Sequence, residues 1–314
     1  MALRWRLRSG PGPTAKATLQ IHFCVLLWGF TAILGRLISL PALALVWWRM
    51  LLVVGALLLL PRVRREMRRL PWRLTASYAG VGALVALHWL TFYAAIKLAD
   101  ASVAATCIAL APIFLALIEP HIAGRRFDPR ELVLGALVVP GVALVVGGIP
   151  RTMWFGAAVG VTSALLDAVF GALNKRLVGA ADALTITALE LGAGWLLLSL
   201  PLALSGGWRL PDTHDAWLLV TLAYACTLLP FSLSLVALRQ LSAFSVQMAV
   251  NLEPVYAVLL AVPIFGEQRQ LSIGFYGGLA LILGALFAQP LLKRPRGLAD
   301  AATLAVEEGK SLGD

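Results

Sequence analysis

The sequence predicts an all-α membrane protein of ten transmembrane helices arranged as two inverted five-helix repeats. Three observations predict it. The 314 residues are 60% hydrophobic and only 13% charged, far below the roughly 25% charged content of water-soluble domains. Ten nearly uncharged stretches each approach the roughly 20 residues that a helix needs to cross a hydrocarbon core about 30 Å thick. The chain also resembles itself at an offset of 142 positions. This composition leaves no room for a soluble enzyme, a nucleic-acid-binding domain or a secreted disulfide scaffold.

In chain order, the first five spans are expected at Leu19 to Ile38, Pro41 to Leu60, Leu74 to Ile96, Ala101 to Ile118 and Leu132 to Ile149. The next five are Met153 to Leu173, Ala183 to Ser205, Ala216 to Leu238, Leu241 to Phe265 and Leu271 to Leu292. So few residues join the first two that they must form a tight hairpin. Residues 1–18 read as a basic cytoplasmic tail, 19–150 as the first repeat, 151–292 as the second, and 293–314 as a flexible cytoplasmic tail without periodicity.

The net charge of +10 is a topology signal, because the basic residues cluster at the ends of apolar runs. With the N-terminus inside, twenty of the 26 lysines and arginines fall on the cytoplasmic side, among them the run Arg62, Arg64, Arg65, Arg68, Arg69 and Arg73. That bias follows the positive-inside rule and places both termini in the cytoplasm. Cys24, Cys107 and Cys226 lie within spans, are odd in number and lack ligand spacing, so no disulfide, metal or other cofactor is expected.

The 142-residue offset aligns the fourth and fifth spans with the ninth and tenth without a gap. Lys97 falls on Arg239, Pro112 on Pro254, Gly124 on Gly266 and Gly135 on Gly277. Leu and Ala matches are cheap in this composition, so weight rests on the prolines, glycines and basic pair, which predict a recurring mid-helix kink, close helix crossing and helix end. Five spans per repeat is odd, so the second copy enters the bilayer upside down, an architecture that recurs in secondary transporters.

Ionisable side chains inside a bilayer cost about 2.5–3.5 kcal/mol even on the lenient insertion scale, so the few that remain are functional candidates. They are Arg49, His88, Asp167, Glu190 and Glu253. Counting helix rise, Arg49, His88 and Glu253 lie about 12 Å below the outer face, and Asp167 and Glu190 about 9–11 Å above the inner one. Arg49 is therefore expected to pair with Glu253, with His88 near enough to tune the pair. The two inner acids suit uptake and release of a proton, which suggests proton coupling. Arg49, Asp167, Glu190 and Glu253 are the candidates for coupling or gating.

Trp28, His88, Trp89, Tyr93, Tyr224, Asn251, Glu253 and Tyr256 are the expected substrate contacts, with packing or interfacial anchoring as the plainer reading of the aromatics. Trp47, Trp48, Trp72, Trp154, Trp208 and Trp217 fit an interfacial belt. Asn251 and Glu253 flank Pro254, which frees a backbone carbonyl. The glycines of the third, sixth and tenth spans read as close-packing positions.

Together, the Leu27 to Phe30 motif Leu-Trp-Gly-Phe, Arg49, the paired Pro112 and Pro254, and Gly266-Glu267 closing the ninth span resemble the EamA-type permeases of the drug/metabolite transporter superfamily. The first repeat departs from that pattern, with Arg125 opposite Glu267 and Glu119-Pro120-His121 ending the fourth span. The resemblance implies a bacterial inner-membrane protein that exports or exchanges metabolites, amino acids or drugs. It also implies a central cavity built by the first, third, fourth, sixth, eighth and ninth spans. The expected partners are a small-molecule substrate and the lipid bilayer, with no nucleic acid, and the expected assembly is a monomer or homodimer.

No His-Glu-x-x-His, Gly-x-Ser-x-Gly or phosphate-cradling motif occurs, which speaks against an embedded enzyme or an ATP-driven pump. A lipid flippase and a non-transporting structural membrane protein are the alternatives to a carrier.

Overall fold

A computed structural model describes residues 12–266 and 272–292, with side chains in the last helix described to residue 284. Glu267 and the residues beyond 292 therefore lie outside the described residues. Nine helical stretches among the described residues are long and apolar enough to cross a membrane, and a tenth apolar helix follows.

Helix α1 spans Pro13–Leu37, α2 Ala42–Leu59, the short α3 Pro61–Met67, and α4 Trp72–Leu98. Pro13 sits in the first turn of α1, where its missing N–H costs nothing. The first span thus begins six residues earlier than its apolar run, and part of the expected tail is helix. The hairpin between α1 and α2 is as tight as expected, with Ser39 and Leu40 preceding the Pro41 cap.

The fourth and ninth spans are each broken once, in the same register. The fourth consists of α5 (Ala101–Ile108) and α6 (Ala111–Ala123). After α7 (Pro129–Ala136), α8 (Val139–Gly147), α9 (Trp154–Leu177), α10 (Ala183–Leu204), α11 (Thr213–Ala223) and α12 (Leu229–Leu238), the ninth consists of α13 (Ala243–Val250) and α14 (Glu253–Phe265). The last helix, α15, covers Ile273–Leu292. Pro112 and Pro254 stand in the first turn of α6 and α14. The expected mid-helix kink is thus a break and restart, since proline removes a helix donor yet fits a first turn.

The repeat extends to backbone angles and caps. Leu110 and Leu252, just ahead of the two restarts, have φ/ψ of −77°/−15° and −77°/−16°. Asp100 accepts from the Val103 N–H at the start of α5, and Ser242 from the Ser245 N–H at the start of α13. Gly124 and Gly266 end α6 and α14 in the left-handed region at φ 67° and 65°, where a β-carbon would be strained.

The basic pair predicted by the offset performs one task twice. Lys97 Nζ donates to Ile38 O (2.6 Å) at the end of α1. Arg239 donates to Ala181 O (2.7 Å) and Val178 O (3.2 Å) past the end of α9. A cation placed on the last carbonyls of a helix satisfies acceptors that have no helical partner and complements the helix dipole.

Acids join the repeats in a matching way. Asp215, in the first turn of α11, accepts from Ser39 N (3.0 Å) and Ser39 Oγ (2.6 Å). Glu66 of α3 accepts from Asp182 N (2.9 Å) and Thr185 Oγ1 (2.7 Å) at the start of α10.

Helix α4 packs along both α9 and α10. Gly82 makes the second contact possible, because a β-carbon there would overlap the backbone carbonyl of Glu190. Gly141 and Gly278 bring α8 onto α15, with a β-carbon at Gly141 meeting Gly278 O at 2.7 Å. Gly80 and Gly277, also expected at close crossings, face open space. Trp47, expected in the interfacial belt, is instead buried beside the Trp48, Trp195 and Trp208 rings and donates to Ser199 Oγ (2.8 Å). Trp72, Trp154, Trp208 and Trp217 are exposed.

Candidate functional site

A cavity of about 110 Å³ lies where α1, α2, α4, α5, α6, α9, α12, α13 and α14 meet. Its lining residues recur at helical spacing: His88, Trp89 and Phe92 from α4; Asp167, Phe170, Gly171 and Asn174 from α9; Ala243, Val246, Gln247 and Val250 from α13. Residues three, four and seven apart share one helix face, so each of these helices presents a single stripe inward.

Arg49 is buried on α2 and lines the cavity. Its Nε donates to Thr227 Oγ1 (2.5 Å), Nη1 to Tyr93 OH (2.9 Å) and Nη2 to Cys226 O (3.4 Å). Its guanidinium carbon lies 3.7 Å from the centroid of the Trp89 ring. A planar cation satisfied by neutral oxygens and an aromatic face needs no adjacent anion. The expected Arg49–Glu253 ion pair is accordingly absent among the described residues. The Thr227 acceptor comes from a π-helical turn, Tyr224–Leu228, between α11 and α12, where Thr227 Oγ1 also donates to Leu222 O (2.6 Å). Such turns are rare and often occur at functional sites.

Asp167 and Glu253 both line the cavity and are over nine-tenths buried. Gln247 Nε2 donates to Asp167 Oδ2 (2.7 Å). Glu253, in the first turn of α14, accepts no hydrogen bond from the described residues, although the start of a helix favours an anion.

Glu190 does not line the cavity. Asn174 stands between, donating from Nδ2 to Glu190 Oε2 (3.3 Å), while Glu190 Oε1 is buried with no hydrogen-bond partner among the described residues. Of the two inner acids, only Asp167 lines the cavity, and each has its own amide.

His88 lines the cavity, but its Nδ1 is tied to Ser163, at 2.9 Å from both Ser163 O and Ser163 Oγ. It joins α4 to α9 rather than tuning an ion pair. Trp28 and Trp89 are in the wall as expected. Tyr93 lies behind the wall and holds Arg49. Asn251 is fully buried in the α13–α14 break, and neither its Nδ2 nor its Oδ1 has a partner among the described residues. Tyr256 is outside the lining too and packs against Gly29 so closely that a β-carbon there would meet Tyr256 Cβ at 2.5 Å. Tyr224 faces outward, 36% exposed, 3.3 Å from Leu52 O.

Glu119, in the second half of α6 and almost fully buried, lays its carboxylate on the start of α13. It accepts from Ala243 N (3.2 Å) and Phe244 N (3.1 Å), and Arg125 Nη2 donates to it at 3.0 Å while also bonding Glu131. Arg176 reaches Ile122 O (3.3 Å) and Lys175 reaches Leu238 O (2.7 Å) at the same end. Leu115, Leu238 and Ala243 of the cavity lining belong, with Phe244 and Met248, to one apolar cluster that forms its floor at this end.

Sequence reasoning missed Gln247, Asn174, Ser163 and Thr227 because an uncharged polar residue costs too little in a span to stand out, and only Asn251, beside Pro254, was singled out. Asn174 stood seven residues from Asp167, on the same helix face, and was the one with a readable signal. Among the described residues the one grouping with metal-ligand spacing is Asp212, His214 and Asp215, away from the cavity, whose two carboxylates already accept N–H groups of the chain.

A bundle of bilayer-length apolar helices around a largely apolar cavity that holds buried acids defines a multi-pass membrane protein. The family model described as EamA-like transporter family matches residues 16–147 and again 154–288, so the chain belongs to that family and carries two copies of its unit. No curated protein matches the chain. A solved structure described only as "Crystal structure of protein" shares the fold, with a TM-score of 0.68 at 20% identity, covering 89% of this chain and 99% of its own. The protein is therefore a membrane transporter of the drug/metabolite transporter superfamily, a family of small-molecule carriers rather than enzymes.

Proposed function

We propose that the protein is a secondary active transporter that exports or exchanges small metabolites, amino acids or drug-like compounds across the bacterial inner membrane by alternating access, coupled to protons. The observation that carries this reading is one cavity walled by both repeats, holding two buried carboxylates that no basic side chain neutralises within 4.0 Å among the described residues. A carboxylate in that setting can hold a proton in one state and release it in another, which couples cargo to a proton gradient. Trp28, His88, Trp89 and Glu253 contact cargo, Asp167 and Glu253 exchange the proton, and Arg49, held by Tyr93, positions the wall.

The repeats are inverted in this reading, with ten spans and both termini cytoplasmic. The matched hooks support it: Lys97 closes on the end of α1 at the Asp215 end of the molecule, whereas Arg239 closes on the end of α9 at the Glu119 end. In this reading equivalent helices finish at opposite ends. The cavity is complete within one chain, so a monomer suffices for transport whether or not it pairs.

Everted vesicles loaded with a cell metabolite extract test the reading. An imposed pH gradient should drive accumulation of particular compounds, and Asp167→Asn should abolish the gradient's effect. Redistribution of labelled lipid without any soluble cargo would instead identify a flippase.

A further inference from the structure

Several uncharged polar side chains of the cavity wall spend donors within the chain rather than on a ligand. Thr31 Oγ1 donates to Trp28 O (2.6 Å), Ser234 Oγ to Phe231 O (2.8 Å), Asn174 Nδ2 to Glu190 and Gln247 Nε2 to Asp167. Both hydroxyls, and one N–H of each amide, are thus directed into the chain. The guanidinium of Arg49 is engaged at all three nitrogens and faced by Trp89. Acceptors remain: Asp167 Oδ1 and both oxygens of Glu253 take no hydrogen bond from the described residues, and both side chains are over nine-tenths buried at the cavity wall. Around them stand the rings of Trp28, Trp89, Phe92, Phe170 and Phe231.

A wall that offers two carboxyl groups with no basic partner among the described residues, together with aromatic faces, matches a ligand that donates, carries positive charge and has an apolar body. We infer that the cavity takes a small organic monocation, an ammonium group on an aromatic or aliphatic body, with its N–H groups donating to Asp167 and Glu253 and its body against the rings. This rests on the carrier reading of the same site and names its substrate class. A zwitterionic amino acid would bring a carboxylate whose only cationic partner in the cavity wall is the already engaged Arg49. An anion would face two carboxylates.

The test uses the purified full chain and four probes sharing one body: 2-phenylethylammonium, phenylalanine, 3-phenylpropionate and 2-phenylethanol. Equilibrium binding should favour the cation by more than about tenfold over each of the others. Asp167→Asn and Glu253→Gln should each weaken the cation by about tenfold and leave 2-phenylethanol unaffected, while Asp212→Asn, at an exposed helix cap far from the cavity, changes nothing. Should either variant fail to fold, the ranking of the four probes on the unaltered protein decides alone. Equal or better binding of the zwitterion or anion, no binding of the cation, or cation affinity indifferent to both folded variants would overturn the inference. Counterflow of labelled 2-phenylethylammonium in proteoliposomes separates the two claims. Binding without counterflow contradicts the carrier reading and leaves the ligand class standing; counterflow of another probe with no cation preference does the reverse.

Discussion

Buried Arg49 shows how a guanidinium survives inside a bilayer without an ion pair. Burying a charge is costly unless hydrogen bonds replace its water, and Thr227, Tyr93, the Cys226 carbonyl and the Trp89 face do so here. Tyr93→Phe should therefore lower stability by about 1.5–3 kcal/mol, the usual worth of a hydrogen bond to a charged group. A double-mutant cycle in denaturant should couple Arg49 more strongly to Tyr93 than to Glu253; the opposite order would restore the ion pair expected from depth alone. Asn251 makes the contrary prediction. Its amide is buried with no partner among the described residues, and such a group costs about 1–3 kcal/mol. Asn251→Ala should raise the melting temperature in detergent, and a lowered one would mean that the amide is satisfied by water or cargo.

Among the elements, the two broken spans carry the most information. Each has a cap, a half-helix, a two-residue break, a proline in the restarted turn and a left-handed glycine, yet only the α6–α13 junction has the Glu119 carboxylate laid across it. The equivalent position in the second repeat is Ala261. That end of the molecule is thus fastened by the Glu119 carboxylate, and the apolar cluster of Leu115, Leu238, Phe244 and Met248 lies next to it. Glu119→Ala should loosen the floor, read as faster alkylation of a cysteine introduced at Ala243 than in the unaltered background, whose three cysteines are buried. An unchanged rate would mean that the apolar floor alone holds this end shut. Helix contacts make a second prediction at this scale. Gly82→Ala forces a methyl onto the Glu190 backbone and should cost about 1–3 kcal/mol, whereas Gly80→Ala, facing open space, should be neutral in the same thermal assay.

For the molecule as a whole, what could be read from the sequence was set by physics that needs no partner. Spans follow from apolar length, and the repeat from Pro112 with Pro254, Gly124 with Gly266 and Lys97 with Arg239, because breaks, helix ends and end-capping cations are local backbone events. Of the candidate site residues, Trp28, Arg49, His88, Trp89, Asp167 and Glu253 reach the cavity, since a polar group in a span must find somewhere polar to be. What could not be read were rotations and pairings. Tyr224 turns outward and Glu190 sits one layer behind Asn174 because a helix's azimuth is fixed by packing, such as the approach that Gly82 permits. Arg49 met neutral oxygens because a π-helical turn, invisible in composition, swings Thr227 toward it.

The central claim, that two oppositely oriented repeats rock around this cavity, is tested most directly by paired spin-label distances in proteoliposomes. One pair of labels belongs at His121 and Gln240, and the repeat-equivalent pair at Leu98 and Pro263, all exposed positions. Between mildly acidic and mildly alkaline buffer the account predicts that one distance lengthens as the other shortens. Both distances moving together, or neither moving, would contradict it.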